Sequence, residues 1–220
     1  MTSGDYLKVS LDALDLQIPP EVRERLLTFC DELLHWNRKV NLTAIRDPDE
    51  AIEKHLVDSL TLLPFVKEGE VLVDLGSGGG FPGIPLAIAR PGLRVLSVDA
   101  VAKKIAFQRH VARLLLLANL EAWHGRAEEV PSHLPKGEGA DLVVSRAFSS
   151  LVQFVRLALP YLKPSGRMIA MKGPEGEQEV AEALAELADL GVACGEVNDL
   201  ILPKSGARRK LIHLGLADTP

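Results

Sequence analysis

Only two cysteines, Cys30 and Cys194, occur in the 220 residues, and neither sits in a CxxC pair or a histidine-rich cluster. A disulfide framework is therefore excluded, and a thiolate zinc site is not expected; no metal site of any kind is anticipated. No run of about 18 uncharged apolar residues exists, so no membrane-spanning helix is expected. The start, MTSGDYLKVSLDALDL, carries acids where a signal peptide has a basic region and an apolar core, which points to a cytoplasmic, reducing setting. Internal repeats and low-complexity tracts are also missing. There is no excess of positive charge: 25 basic against 30 acidic residues leave a formal charge of −5, which excludes a globally basic nucleic-acid binder. What is present is a 47% hydrophobic, 25% charged composition, enough for one domain with a sizeable core and incompatible with dominant disorder.

Charge is unevenly placed. Residues 1–70 carry 8 basic and 14 acidic side chains, whereas residues 201–220 carry 4 and 1. Residues 90–113 hold Arg90, Arg94, Lys103, Lys104, Arg109 and Arg113 against Asp99 alone. A local basic face is thus compatible with the acidic total.

Apolar spacing predicts an amphipathic helix over 21–40 and a second from about Pro48 to Phe65, with Asp47 as its N-cap. Asn41 is positioned to cap the end of the first. These helices read as an N-terminal cap over residues 1–69, ahead of a second unit at 70–220. From residue 70 short valine-rich runs alternate with helical ones. Strands are expected at 70–75, 94–98, 120–124, 141–144 and 167–171, with helices at 84–89, 103–117, 151–161 and 178–190 and a helix or turn at 127–134. Two closing strands, 196–202 and 210–216, have no helix between them. The pattern predicts an α/β fold, Rossmann-like, with a mostly parallel sheet and an antiparallel C-terminal hairpin.

The strongest local signal is Asp74-Leu75-Gly76-Ser77-Gly78-Gly79-Gly80-Phe81-Pro82-Gly83, lying between a predicted strand and a predicted helix. Ligands of open α/β sheets bind at this carboxyl end of the strands. Gly78, Gly80 and Gly83 satisfy the GxGxxG pattern of dinucleotide binders, a weak signal by itself. Asp74 argues against a diphosphate, because a carboxylate at that point disfavours an anion and favours a cation. The ammonium end of S-adenosylmethionine is such a cation. Asp99, at the end of the next strand, is placed to accept hydrogen bonds from ribose hydroxyls. The competing account makes Asp74 and Asp99 simple caps with no ligand.

Beyond the glycine turn the chain resembles the bacterial glucose-inhibited division protein B family, also called ribosomal small-subunit methyltransferase G. The resemblance rests on Asn41–Ile45, Lys54-His55 with Asp58-Ser59, DLGSGGGFPGIPLAI (Asp74–Ile88), and Asp99 with Lys103-Lys104. It continues through Arg126-Ala127-Glu128, Ser145-Arg146-Ala147, Lys172-Gly173 and Arg209-Lys210-Leu211. It implies a class I methyltransferase fold with a seven-stranded sheet, S-adenosylmethionine as donor, and N7 of a guanine in 16S rRNA as acceptor. It also implies that Gly76 and Phe81 touch the cofactor, that Ala127 and Glu128 sit at the adenine, and that Arg146 lies beside the methyl-transfer pocket.

The residues themselves discriminate among acceptors. Methylation at pyrimidine C5 needs a cysteine nucleophile, and neither cysteine follows the fourth strand. An exocyclic amine calls for an Asp/Asn-Pro-Pro-aromatic segment there, and the chain instead reads Val144-Ser145-Arg146-Ala147-Phe148. A ring nitrogen such as N7 has a free lone pair, so alignment matters more than a base. Arg146, Ser145 and Lys172 are the candidate catalytic residues. Arg146 either grips a guanine O6, a phosphate or the cofactor's carboxylate, or forms a structural ion pair. Ser145 either orients the pocket or caps the next helix; Lys172 either meets phosphate or is solvated. Phe148 is either a stacking platform or core. His55 and Asp58, three apart, either meet each other, reach the pocket, or join cap to core. Asp74, Gly76, Ser77, Gly78, Gly80, Phe81, Asp99, Ala127, Glu128 and Arg146 form the expected cofactor set. Arg208, Arg209, Lys210, Lys103 and Lys104 form the expected RNA surface. The expected partner is 16S rRNA, within a small-subunit particle, bound by a monomer. The rivals are an NAD(P)-dependent oxidoreductase, for which Tyr161 and Lys163 miss the Tyr-x-x-x-Lys spacing, and a non-catalytic RNA-binding module.

Overall fold

The computed structural model describes residues 1–132, 139–146, 148 and 150–217. Seven strands form one sheet: β1 (Val71–Leu75), β2 (Arg94–Asp99), β3 (Leu120–His124), β4 (Ala140–Arg146), β5 (Leu162–Lys172), β6 (Val192–Ile201) and β7 (Arg208–Leu216). Their order is β3-β2-β1-β4-β5-β7-β6. The first five are parallel, and β7 pairs antiparallel with both β5 and β6. The expected hairpin therefore exists, with its second strand tucked inward and β6 at the edge. Short apolar runs such as Val71–Leu75 are buried on both faces, as a helix-covered parallel sheet requires.

Alternation along the strands divides the core. Leu72, Leu142, Val144, Ile169, Met171 and Leu211 face one layer, together with residues of α5 (Gly83–Ala89) and α6 (Ala102–Leu114). Val73, Leu75, Val143, Met168, Ala170 and Ile212 face α7 (Leu151–Ala158) and α8 (Gly176–Asp189). The N-terminal segment covers the first layer. It contains α1 (Ser3–Asp12), α2 (Pro20–Asn37), α3 (Pro48–Ala51) and α4 (Asp58–Leu60). Leu7, Phe29, Leu33 and Leu56 join Phe81, Ile84, Phe107 and Leu211 in one continuous cluster.

Three elements differ from expectation. Helix α1 was not anticipated; a Thr2–Asp5 capping box starts it. The run 48–65 is not one α-helix. Ile52–Val57 is π-helical between α3 and α4, and Leu63–Phe65 is a 3₁₀ turn. Arg146, Arg209 and the β6–β7 turn all bond into this run, and those bonds favour the wider coil over a regular helix. The end of α2 is not capped by Asn41: its C-cap is Arg38, and the Asn37 side chain organises the following loop. The expected helix or turn at 127–134 is a 3₁₀ segment, Ala127–Ser132; positions 133 and 134 lie outside the described residues.

Candidate active site

The glycine turn leaves β1 at its carboxyl end and is braced from below. Asp74 is fully buried, and its Oδ2 accepts the Gly83 N–H at 2.9 Å. Gly76 and Ser77 donate their N–H groups to the Val98 carbonyl, and Gly78 donates to Asp99 Oδ2 at 2.9 Å. Gly80 has φ +93, and a Cβ there would lie 2.3 Å from Ile84 Cδ1, so both the turn and the packing demand glycine. The Ser77 hydroxyl accepts from Gln108 at 2.8 Å, and its carbonyl accepts from Gly80 and Phe81. Expected as a cofactor contact, Ser77 is engaged on all sides in shaping the turn.

Phe81 is likewise turned inward. Its ring is 4% exposed, stacks on His55 at 4.4 Å between centroids, and lies 5.1 Å from Phe29. Ala127 is held by the Tyr161 hydroxyl, which donates to its carbonyl, while Glu128 is exposed. Tyr161 is thereby engaged inside the protein, away from any hydride-transfer role.

Two buried oxygens near the turn, Asp74 Oδ1 and Ser97 Oγ, have no hydrogen-bond partner among the described residues. An unsatisfied buried carboxylate oxygen calls for a donor. Burial pushes the Asp74 carboxyl up to about 7, opposed by the Gly83 N–H and the Arg146 charge. An ammonium group is all donors and carries the compensating charge, whereas a diphosphate offers only acceptors. The buried Asp74 carboxyl thus suits the amino-acid end of S-adenosylmethionine better than a diphosphate. Asp99 is 7% exposed; Val101 donates to its Oδ1 at 2.8 Å and Lys104 approaches its Oδ2 at 3.6 Å. Each of its oxygens retains a lone pair for further donors.

Beside the turn, at the carboxyl ends of β4 and β5, lies a cavity of about 340 Å³ walled by Ile45, His55, Asp58, Arg146, Lys172 and Arg209 among others. Arg146 is the centre of its bonding. Its Nη1 donates to the Lys54 carbonyl at 2.9 Å and lies 3.6 Å from Asp58 Oδ2. Its Nη2 lies 3.2 Å from His55 Nδ1, and the guanidinium sits 4.9 Å over the Phe81 ring. Because Arg146 can only donate, His55 Nδ1 must accept, so the imidazole proton belongs on Nε2, which donates to Thr43 Oγ1 at 2.8 Å. Desolvation and the Arg146 charge pull His55 down to about 3, which keeps it neutral and able to accept. His55 and Asp58 therefore meet at Arg146.

Asp58 is 2% exposed and also accepts from Arg209 Nε at 3.1 Å. Burial raises its carboxyl above the usual range, and the two arginines oppose that rise. Two guanidinium ions on one carboxylate leave this wall net positive. Lys172 pairs with Glu179 at 2.9 Å and donates to the Phe148 carbonyl, so it is not solvated. The Ser145 hydroxyl donates to the Leu75 carbonyl at 2.9 Å, tying β4 to β1; it neither caps the next helix nor opens to the cavity. The Phe148 ring lies against Gly76, where a Cβ would meet it at 3.2 Å. Ala147 lies outside the described residues.

The run Arg208-Arg209-Lys210 does not form one surface. Strand alternation turns Arg209 to the cavity and its neighbours to the opposite face. Arg208 is exposed, but Lys210 is enclosed between Glu177 at 2.8 Å and Asp199 at 2.7 Å. Its charge is compensated by these two carboxylates. Lys103 is exposed, and Lys104 leans on Asp99. Burial pushes the Cys30 thiol up to about 12, consistent with an inert core cysteine. Among the described residues no group of three or more His, Cys, Asp or Glu is placed to hold a metal ion, and no helix is long and apolar enough to cross a membrane.

Sequence reasoning missed three residues. Thr43 holds His55, Asn37 holds the loop that carries Thr43, and buried Glu53 accepts the Lys204 and Ser205 N–H groups, fixing the β6–β7 turn over the cap. Thr43 lies in the Asn41–Ile45 run that carries the resemblance but had no role assigned there, and spatial proximity alone reveals Glu53; an asparagine in the last turn of α2 was the one local hint for Asn37.

The sheet order, the glycine turn after β1 and the cavity beside it define a class I methyltransferase fold. A SAM dependent methyltransferase from Aquifex aeolicus superposes with a TM-score of 0.59 at 20% identity, over 79% of this chain and 96% of that one. A precorrin-6y C5,15-methyltransferase from Geobacter metallireducens gives 0.56 at 17% identity, over 73% and 87%. The family model described as rRNA small subunit methyltransferase G matches residues 22–207. Proteins named ribosomal RNA small subunit methyltransferase G are similar over nearly full length. The one from Geotalea uraniireducens is 50% identical over 96% of this chain and 95% of its own, and that from Geobacter sp. (strain M21) is 47% identical over 97% and 98%. The chain belongs to the rRNA small subunit methyltransferase G family.

Proposed function

We propose that the protein uses S-adenosylmethionine to methylate N7 of a guanine in 16S rRNA. The observation that carries this reading is the Arg146 guanidinium, fixed over Phe81 in a positive cavity directly beside the glycine turn. In this reading Asp74, Gly76, Gly78, Gly80, Asp99, Ala127 and Glu128 hold the cofactor. Bound there, S-adenosylmethionine supplies a methyl group on a positively charged sulfur.

The protein's own contribution is alignment. A guanine N7 needs no proton removed, so holding the purine in line supplies much of the rate gain, roughly 7–11 kcal/mol in favourable cases. Arg146 keeps donors free after its two hydrogen bonds and presents them toward a guanine O6. Neutral His55 and Asp58 hold that guanidinium still. Arg146 and Arg209, which share the one Asp58 carboxylate, leave the net positive charge that attracts the RNA strand.

With few uncompensated cations near the cavity, affinity for naked RNA is modest, and a small-subunit particle is the better substrate. The partner reading is therefore rRNA assembled with ribosomal protein, met by a monomer. Thermal shift tests the cofactor half: S-adenosylmethionine should raise the melting temperature by mass action and NAD should not. A rise with NAD alone would replace this reading by the oxidoreductase, and a rise with neither by a non-catalytic RNA-binding module. Equal methylation of naked transcript and particle would remove the particle preference.

A further inference from the structure

Residues 33–46 (LLHWNRKVNLTAIR) contain no acidic side chain, within a segment 1–70 that is otherwise rich in acids. Arg38, Lys39 and Arg46 are exposed there, and among the described residues none has an ion-pair partner. Of the acids that follow, Asp47 caps α3 by accepting the Glu50 N–H, and Glu50 pairs with Lys54 at 2.6 Å. By contrast, the cavity cations all have carboxylate partners: Arg146 and Arg209 share Asp58, which leaves one net positive charge there, and Lys172 pairs with Glu179.

Arg38 and Arg46, with Leu34, Asn37, Asn41 and Pro48, line a second cavity of about 340 Å³. The loop between them is pinned by polar bonds, with Leu42 its one buried side chain. Asn37 Oδ1 accepts the Leu42 and Thr43 N–H groups at 2.7 and 3.0 Å, while its Nδ2 donates to the Thr43 and Ile45 carbonyls. Thr43 bonds His55, Ile45 walls the active-site cavity, and Arg46 walls the second one. The consecutive residues Ile45 and Arg46 thus line one cavity each.

We propose that this loop is an RNA contact, in which Arg38 and Arg46 take backbone phosphates of the strand that delivers the guanine to the Arg146 cavity. The proposal rests on the rRNA-methyltransferase reading above and adds the surface that guides the substrate. Two uncompensated guanidinium groups on a rigid loop match phosphate geometry with little ordering cost. Phosphate contacts release counterions, so each shows in the salt dependence of binding.

The test compares Arg38→Ala/Arg46→Ala with Lys8→Ala/Lys67→Ala, which removes equal charge from exposed positions elsewhere. Binding to small-subunit particles is measured across salt, with melting temperature and S-adenosylmethionine affinity as checks on the fold. Two lost phosphate contacts should flatten the slope, so that between 50 and 200 mM salt the wild type loses about sevenfold more affinity than the first variant. The KM for RNA should rise, with kcat, melting temperature and cofactor affinity unchanged. A slope equal to that of the wild type, or equal in both double variants, would overturn the loop as an RNA contact while leaving the methyltransferase reading intact. If the wild type itself neither binds nor methylates the particles, the methyltransferase reading fails first and this surface with it.

Discussion

Two buried groups set opposite pH responses at the scale of single residues. His55 is held at about 3, far below 6.5, so its folded environment favours the neutral ring. The stability this gives is complete above pH 6.5 and is lost as pH falls toward 3. Asp74 is raised from 3.8 to about 7, so its contribution is complete below pH 3.8 and is lost as pH rises toward 7. Each slope is at most about 1.4 kcal/mol per pH unit. Between pH 4 and 6.5 the two nearly cancel in the wild type. Denaturation midpoints of variants separate them. The deficit of His55→Gln relative to wild type should shrink on acidification, and Asp74→Asn should gain on wild type as pH rises from about 4 to about 7. Parallel profiles for all three proteins would show that neither group is the buried titrating site described here.

Among elements, the glycine turn was legible because its function is local. Bare backbone between a strand and a helix is visible in Gly76–Gly83 without any knowledge of the fold. The broken helix over 48–65 was not legible, since its π-helical section answers to Arg146, Arg209 and the β6–β7 turn, all distant in sequence. Helix α1 left a sign that was there to be read, a threonine with an acid three residues on, ahead of only a short apolar stripe. The split of the basic triplet in β7 was not legible in the run read as a single surface, because a charge run in a strand alternates between two faces. For the turn itself, Gly80→Ala meets both a left-handed backbone and the Ile84 side chain. It should cost about 1–3 kcal/mol by chemical denaturation. Gly78→Ala has open space at its Cβ, with the Gly76 carbonyl the nearest atom at 3.9 Å, and should cost less. An equal loss for the two would show that packing against Ile84 adds nothing.

For the whole molecule, the sequence suggested a cap over 1–69 and a second unit over 70–220. We propose that this boundary separates a covering layer from a sheet and that neither part is stable alone, because Leu7, Phe29 and Leu56 share one core with Ile84, Phe107 and Leu211. Thermal or urea unfolding should then be a single transition by both fluorescence and circular dichroism, and residues 70–220 expressed alone should lack a cooperative transition. Two separated transitions would restore independent domains. The parallel sheet and the hairpin were readable from the alternation of short apolar runs. The net positive cavity was not, since its four central residues, His55, Asp58, Arg146 and Arg209, come from three separate stretches of chain.

The most direct test of the account is transfer of labelled methyl groups from S-adenosylmethionine to small-subunit particles, followed by digestion of the rRNA to nucleosides. The wild type should place the label in 7-methylguanosine, and Arg146→Lys, which keeps the charge but loses the planar donor array, should do so roughly 10²-fold more slowly with S-adenosylmethionine affinity retained. Label in methyladenosine or methylcytidine, or an Arg146→Lys rate equal to that of the wild type, would contradict a guanine held by the Arg146 guanidinium.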